Sequence, residues 1–151
     1  MGLDMYLSAK KYISSFSDEG KEIAAVIKAE QIKGMGSMEP KYLICEAMYW
    51  RKANQIHRWF VDNVQDGADE CKPHYVGTDQ LRELLGLCEK VLANRDQAEE
   101  LLPVAEGFFF GSDAYDDGYF SDIEYTIKGL RELLGNKELT DNWDFEYCSS
   151  W

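Results

Sequence analysis

The stretch Tyr49–Phe60, YWRKANQIHRWF, constrains this chain more than any other, because it alone crowds aromatics, cations and a histidine together. No Gly or Pro interrupts Tyr49 to Val64, and Ala53, Ile56, Phe60 and Val64 recur at helical spacing, which predicts a helix. At about 100° per residue, Tyr49, Ala53, Ile56, Phe60 and Val64 share one sector, which Trp50 and Val61 extend. Arg51, Lys52, Gln55, Arg58 and Asp62 fall opposite, with Arg58 and Asp62 spaced as an i,i+4 ion pair. Two residues stand out of place. His57 lies inside the apolar sector, either as a neutral core histidine hydrogen-bonded to a nearby backbone group or, with Asn54, as the wall of a small pocket. Trp59 lies on the polar side, either packed in a second core layer or exposed as an interface anchor.

The flanking chain alternates. Leu3, Met5 and Leu7 oppose Asp4, Tyr6 and Ser8, and near the C-terminus Trp143, Phe145 and Tyr147 oppose Asp144, Glu146 and Cys148. Both read as half-buried strands that pair with each other and join the two chain ends in one sheet. Ser17–Asp18–Glu19 caps a short helix through Ile27, and Gly34–Met35–Gly36–Ser37 is a loop. Residues 41–48, KYLICEAM, fit either a strand or the first turns of the central helix. A short extended piece surrounds Tyr75 and Val76. A helix then starts at Thr78 with Leu81, Leu84, Leu85, Cys88, Val91 and Leu92 as its apolar stripe, and Asp96–Leu102 adds a helical turn before Pro103. Phe108–Phe110, between glycines, suits a buried extended segment or tight loop, and Ile123–Leu134 forms the last helix. The expected class is α+β: about three substantial helices packed on a small, mostly antiparallel sheet that includes both chain ends, in one globular domain spanning 1–151.

Charge narrows the function. The net charge of −12 is unevenly spread: residues 1–95 hold 14 acids and 13 bases, residues 96–151 hold 14 acids and 3 bases. A field of that sign repels nucleic acid and favours basic partners. No apolar run is long enough to span a bilayer, and the opening MGLDMYLSAKK has no signal-peptide pattern. A cytoplasmic protein with reduced thiols at Cys45, Cys71, Cys88 and Cys148 is therefore expected.

Motifs for chemistry are thin. Cys71–Lys–Pro–His74 has local zinc-ligand spacing without a second half. Asp113 to Glu124, DAYDDGYFSDIE, approaches a calcium loop, with Asp at the first and fifth positions, Gly118 at the sixth and Glu at the twelfth, but Tyr115 takes a ligand position. The simpler reading of these acids is a helix start that complements the dipole, and no metal or cofactor is expected. No GxSxG, Cys-plus-His or phosphate-loop signature occurs, so the chain reads as a binding protein rather than an enzyme.

The segments MGLDMYL, YWRKANQIHRWFVDNVQDG and FFFGSDAYDDGYFSDIEYT together resemble a family of small proteins encoded by phages and prophages. The resemblance covers much of the chain. It implies a genomic context and a bacterial host cytoplasm, and assigns no residue a role. That family often carries a bulky residue where Gly118 stands, which counts against calcium. Small phage accessory proteins frequently disable a host factor, so the resemblance and the acidic C-terminal third imply an inhibitor of a host defence or nucleic-acid-binding protein with a basic surface. Asp113, Tyr115, Asp116, Asp117, Asp122 and Glu124, with Trp59 as a second aromatic anchor, are the expected contact residues. The alternative is a small-molecule or nucleotide pocket, in a binding protein or enzyme, beside the central helix, lined by Trp50, Arg51, Asn54 and His57. A third expectation is a structural homo-oligomer joined through Trp59 and the C-terminal strand.

Overall fold

The computed structural model describes residues 2–29, 32–107 and 110–151. Four strands, β1 (Asp4–Tyr12), β2 (Tyr42–Arg51), β3 (His74–Val76) and β4 (Asp144–Ser150), form an antiparallel sheet in the order β2-β1-β4-β3. Both chain ends lie in it, as the alternating patterns predict: Asp4 pairs with Ser150, and Lys10 with Asp144. Leu3, Met5, Leu7, Phe145 and Tyr147 turn inward, while Tyr6, Ser8 and Glu146 line the opposite face. The class is α+β, with six helices among the described residues: α1 (Asp18–Ala29), α2 (Asn54–Val64), α3 (Thr78–Ala93), α4 (Ala98–Leu101), α5 (Asp117–Gly135) and α6 (Lys137–Asn142). The expected aromatic segment at Phe108–Phe110 lies largely outside the described residues, which resume at Phe110.

The central stretch is not one helix. Residues 42–51 are strand, which settles the ambiguous segment 41–48 as strand from Tyr42 onward, and helix begins only at Asn54. The break has a local cause. Lys52 N–H closes the strand by donating to Leu3 O at 2.8 Å, and Lys52 takes a left-handed backbone, φ 61°. Ala53 then turns the chain at φ −77°, ψ 70°, with Asn54 N–H bonded to Lys52 O at 2.9 Å, an inverse γ-turn. The helical pattern misleads because Trp50 and Ala53 are both buried, one from the strand and one from the turn. Trp50 pairs with Met5, meets Phe60 edge-on and donates its indole N–H to Thr126 Oγ1 at 2.9 Å.

Helices α2 and α5 bring Ile56, Phe60, Ile123, Ile127 and Leu130 into the core, and α3 packs along α5 through Leu81, Leu84, Cys88 and Val91. Phe60 stacks on Tyr147 with ring centroids 3.9 Å apart, which ties α2 to the sheet. Trp59 is 5% exposed and meets Phe60 edge-on, beside Leu87, Leu101 and Leu102. It belongs to a second core layer and has no surface to offer a partner. Strand β4 pairs with β1 along its length and with β3 only at Phe145–Tyr147, which leaves Cys148–Ser150 unpaired on the β3 side among the described residues. Of the two contacts expected for a homo-oligomer, burial removes Trp59. No helix among the described residues is long and apolar enough to cross a membrane.

Candidate functional site

Three segments meet at the end of β2: the Arg51–Lys52 corner, the first turn of α2, and the loop leading into α5. They enclose a cleft of about 310 Å³, lined on one side by Arg51 and Lys52, at its floor by Asn54 and Gln55, and opposite by Ser112, Asp116, Ser121 and Asp122.

Each wall has a sequence-level reason for its place. Asn54 is buried, and its amide staples the loop to the helix: Nδ2 donates to Phe110 O at 3.1 Å and Ser112 O at 2.8 Å, while Oδ1 accepts from Ala105 N–H at 3.1 Å. At the loop's turn Gly111 has φ 93°, and a Cβ there would stand 3.1 Å from Lys52 Cβ, so glycine allows the close approach of loop and corner. Two left-handed residues, Lys52 and Gly111, therefore face each other at the rim. For Lys52 that backbone stores strain of the kind concentrated at functional sites.

The opposite wall is the start of α5. Asp116 caps it, accepting from Tyr119 N–H at 3.1 Å, and Asp117 sits in its first turn. Because residues from Asp117 onward are helical, they cannot wrap an ion as a twelve-residue loop does, which removes the calcium reading. Among the described residues no group of three His, Cys, Asp or Glu is placed to hold a metal ion, and Cys71 and His74 find no further ligands. Asp122 lies one turn further along, half-buried toward the cleft. Burial raises its carboxyl from the ordinary 3.8 to about 6; a hydrogen bond from Gln55 opposes the rise, and the charge of Asp116 adds to it.

The expected contact residues divide. Asp116 and Asp122 line the cleft, and Asp113 and Asp117 adjoin its lining residues in the chain. Glu124 lies two positions beyond Asp122, about 200° round the helix, and faces Arg95 at 3.9 Å. Tyr115 is half-buried against Tyr119 at 5.0 Å, and its hydroxyl accepts from Val104 N–H at 3.4 Å. The expected pocket residues divide as well. Arg51 and Asn54 line the cleft, whereas Trp50 and His57 belong to the core.

His57 is 1% exposed. Its Nδ1 lies 2.7 Å from Tyr147 Oη and its Nε2 3.1 Å from Asp69 Oδ2, while Asp69 Oδ1 accepts from Trp151 Nε1 at 3.2 Å. With Asp69 accepting, the consistent arrangement has Nε2–H donating to the carboxylate and the Tyr147 hydroxyl donating to Nδ1. This is the core-histidine alternative, but its partners are two side chains, on β4 and on the loop after α2, in place of the expected backbone group. Sequence reasoning missed Lys52, Gln55, Ser112 and Ser121 at the cleft, and Asp69 and Tyr147 beside His57. Lys52 carries no signal, since Gly or Asn would mark a left-handed corner. The polar turn containing Asp69 is visible in the sequence, but not its reach to His57.

Fold and cleft define a small α+β protein with a polar cleft formed at the junctions into α2 and α5. The chain matches no protein-family model, no curated protein and no solved structure.

Proposed function

We propose that this is a small acidic phage or prophage accessory protein that binds and inhibits a basic host protein, a defence or nucleic-acid-binding factor, by receiving a cationic side chain in the cleft beside α5. One observation carries the reading. Asp122 is a carboxylate withdrawn from water beside a second carboxylate, Asp116, in a cleft open to solvent. Acids that serve only solubility stand in water; a desolvated one gains most when a guanidinium or ammonium group arrives. Asp113 and Asp117 outside the cleft add steering, and the excess of acids in residues 96–151 extends the field.

The test is capture from bacterial lysate by the wild type and by the Asp116→Asn/Asp122→Asn variant. The reading expects one stoichiometric protein partner that the wild type retains, that high salt releases and that the folded variant fails to hold. A partner held equally by both proteins removes the cleft from the interface, and no partner at either salt removes the host-protein reading.

A second reading places a small zwitterionic molecule in the same cleft. The presence of both signs favours it: Arg51 and Lys52 face Asp116 and Asp122 across a volume suited to a metabolite. It predicts that Lys52→Ala weakens binding as much as Asp116→Asn does, whereas a purely cationic guest binds more tightly once Lys52 is gone.

A further inference from the structure

Of the two edge strands, β3 has three residues and β2 has ten. The first half of β2 is largely exposed, with only Leu43 half-buried. Tyr42 and Ile44 are 51% and 62% exposed on the face away from the helices, and Cys45, which turns toward the helix side opposite Ala9, is exposed too. Free edges are normally blunted by charge, proline or a bulge. Here those devices flank the segment rather than interrupt it: Pro40 and Lys41 precede it, Glu46 closes it, and the bulge at Ala47 follows. Tyr42–Cys45 is an uncharged, β-prone ribbon with an open hydrogen-bonding edge.

We propose that this edge pairs with the same edge of a second copy of the chain, antiparallel, joining two sheets into one of eight strands. Symmetry then fixes the register. Antiparallel pairing of identical edges requires a two-fold axis normal to the sheet, and directly opposed residues must share a face. Ile44, Tyr42 and Glu46 share the open face and Leu43 and Cys45 the other, so the axis passes at Ile44 or a residue of equal standing. With Ile44 on the axis, Leu43 opposes Cys45 and Tyr42 opposes Glu46 of the partner subunit. Lys10 Nζ, bonded to Glu146 at 2.9 Å, also sits 4.6 Å over the Tyr42 ring, so the partner's Glu46 arrives beside an ammonium group that it shares with Glu146.

The long-range field also selects a second copy. Two chains of net charge −12 repel wherever their acidic bodies meet. Residues 9–45 hold six bases and five acids, so this segment carries none of the excess, and its Lys10 and Lys11 offset Glu146 and Glu138, the C-terminal acids packed against it. Tyr12, exposed and paired with Tyr42, adds apolar surface beside the seam. Ile44 and the cleft corner at Arg51 are seven residues apart on one strand, about 23 Å, so pairing leaves the cleft open.

The test is mass by light scattering on the full chain, at about 10 to 100 µM. The wild type is expected near twice 17.4 kDa. Ile44→Lys, at an exposed position, is expected at 17.4 kDa with unchanged thermal unfolding measured at high dilution, where both chains are monomers. Glu46→Lys is the second probe and is expected to weaken the dimer about tenfold or more. Tyr75→Lys, exposed on β3 at the opposite edge of the sheet, is the control and is expected to stay dimeric. A wild type that is monomeric throughout, a dimer that survives Ile44→Lys, or one that Tyr75→Lys dissociates overturns the proposal.

Discussion

Replacing Asp122 by Asn is expected to stabilise the protein at neutral pH, against the usual trend for a change inside a folded chain. Burial lifts the Asp122 carboxyl from 3.8 to about 6, so the native state holds its proton more tightly than the unfolded chain does. A raised pKa contributes stability that is present below the unfolded value and lost as pH rises through the folded one. The loss therefore runs from about pH 4 to about pH 6 and is complete above that. At about 1.4 kcal/mol per pH unit, full shielding would give about 3 kcal/mol. Asp122 keeps partial contact with water, which reduces the expected value to about 1–2 kcal/mol. Asn retains the shape and an acceptor for Gln55 without the charge. The assay is urea unfolding of wild type and Asp122→Asn in parallel from about pH 4 to about pH 8. Taking the difference between the two cancels the titration of every other group. The two curves should meet near the acid end and separate in favour of the variant above about pH 6. Parallel curves, or a variant less stable than wild type near neutrality, would refute the desolvation argument.

Other substitutions probe the rest of the account. Trp59→Ala should lower stability by about 3–5 kcal/mol, measured by urea denaturation, because it empties a buried indole site. Asn54→Ala removes three hydrogen bonds between α2 and the loop, and hydrogen exchange should show faster amides at residues 105–107 and 110–112. Gly20→Ala should disrupt the α1 segment, seen as lost helical signal, since a Cβ there would stand 2.0 Å from Ser14 O. In the native protein Cys45 and Cys71 should react with a thiol reagent while Cys88 stays protected, because Cys88 is buried and burial pushes its thiol up to about 12.

The sheet was legible because its pattern is local. Leu3–Leu7 and Phe145–Tyr147 alternate with period two, and both pair as that period predicts. The stripes of α3 and α5 were equally plain. The corner at Lys52 was not, because a strand whose Trp50 faces inward and a helix whose Ile56 and Phe60 face inward share one apolar phase across the break. Periodicity reports burial, and burial continues where secondary structure changes. Trp59 misled differently: a helical wheel assumes one buried face, but α2 is covered on two, by the sheet and by residues near Leu102. For the site, Arg51, Asn54, Asp116 and Asp122 were singled out in two separate hypotheses. Only the fold brings them to one cleft, across more than sixty residues of chain, and no local signal carries that contact.

The most direct measurement is the carboxyl carbon shift of Asp122, followed by NMR through a pH titration, first alone and then with an arginine-rich peptide. The account predicts a midpoint near 6 in the free protein and a lower one with peptide, as the guanidinium favours the charged form. A midpoint near 3.8 that the peptide leaves unmoved would contradict it, and would return these acids to the role of a solvated surface.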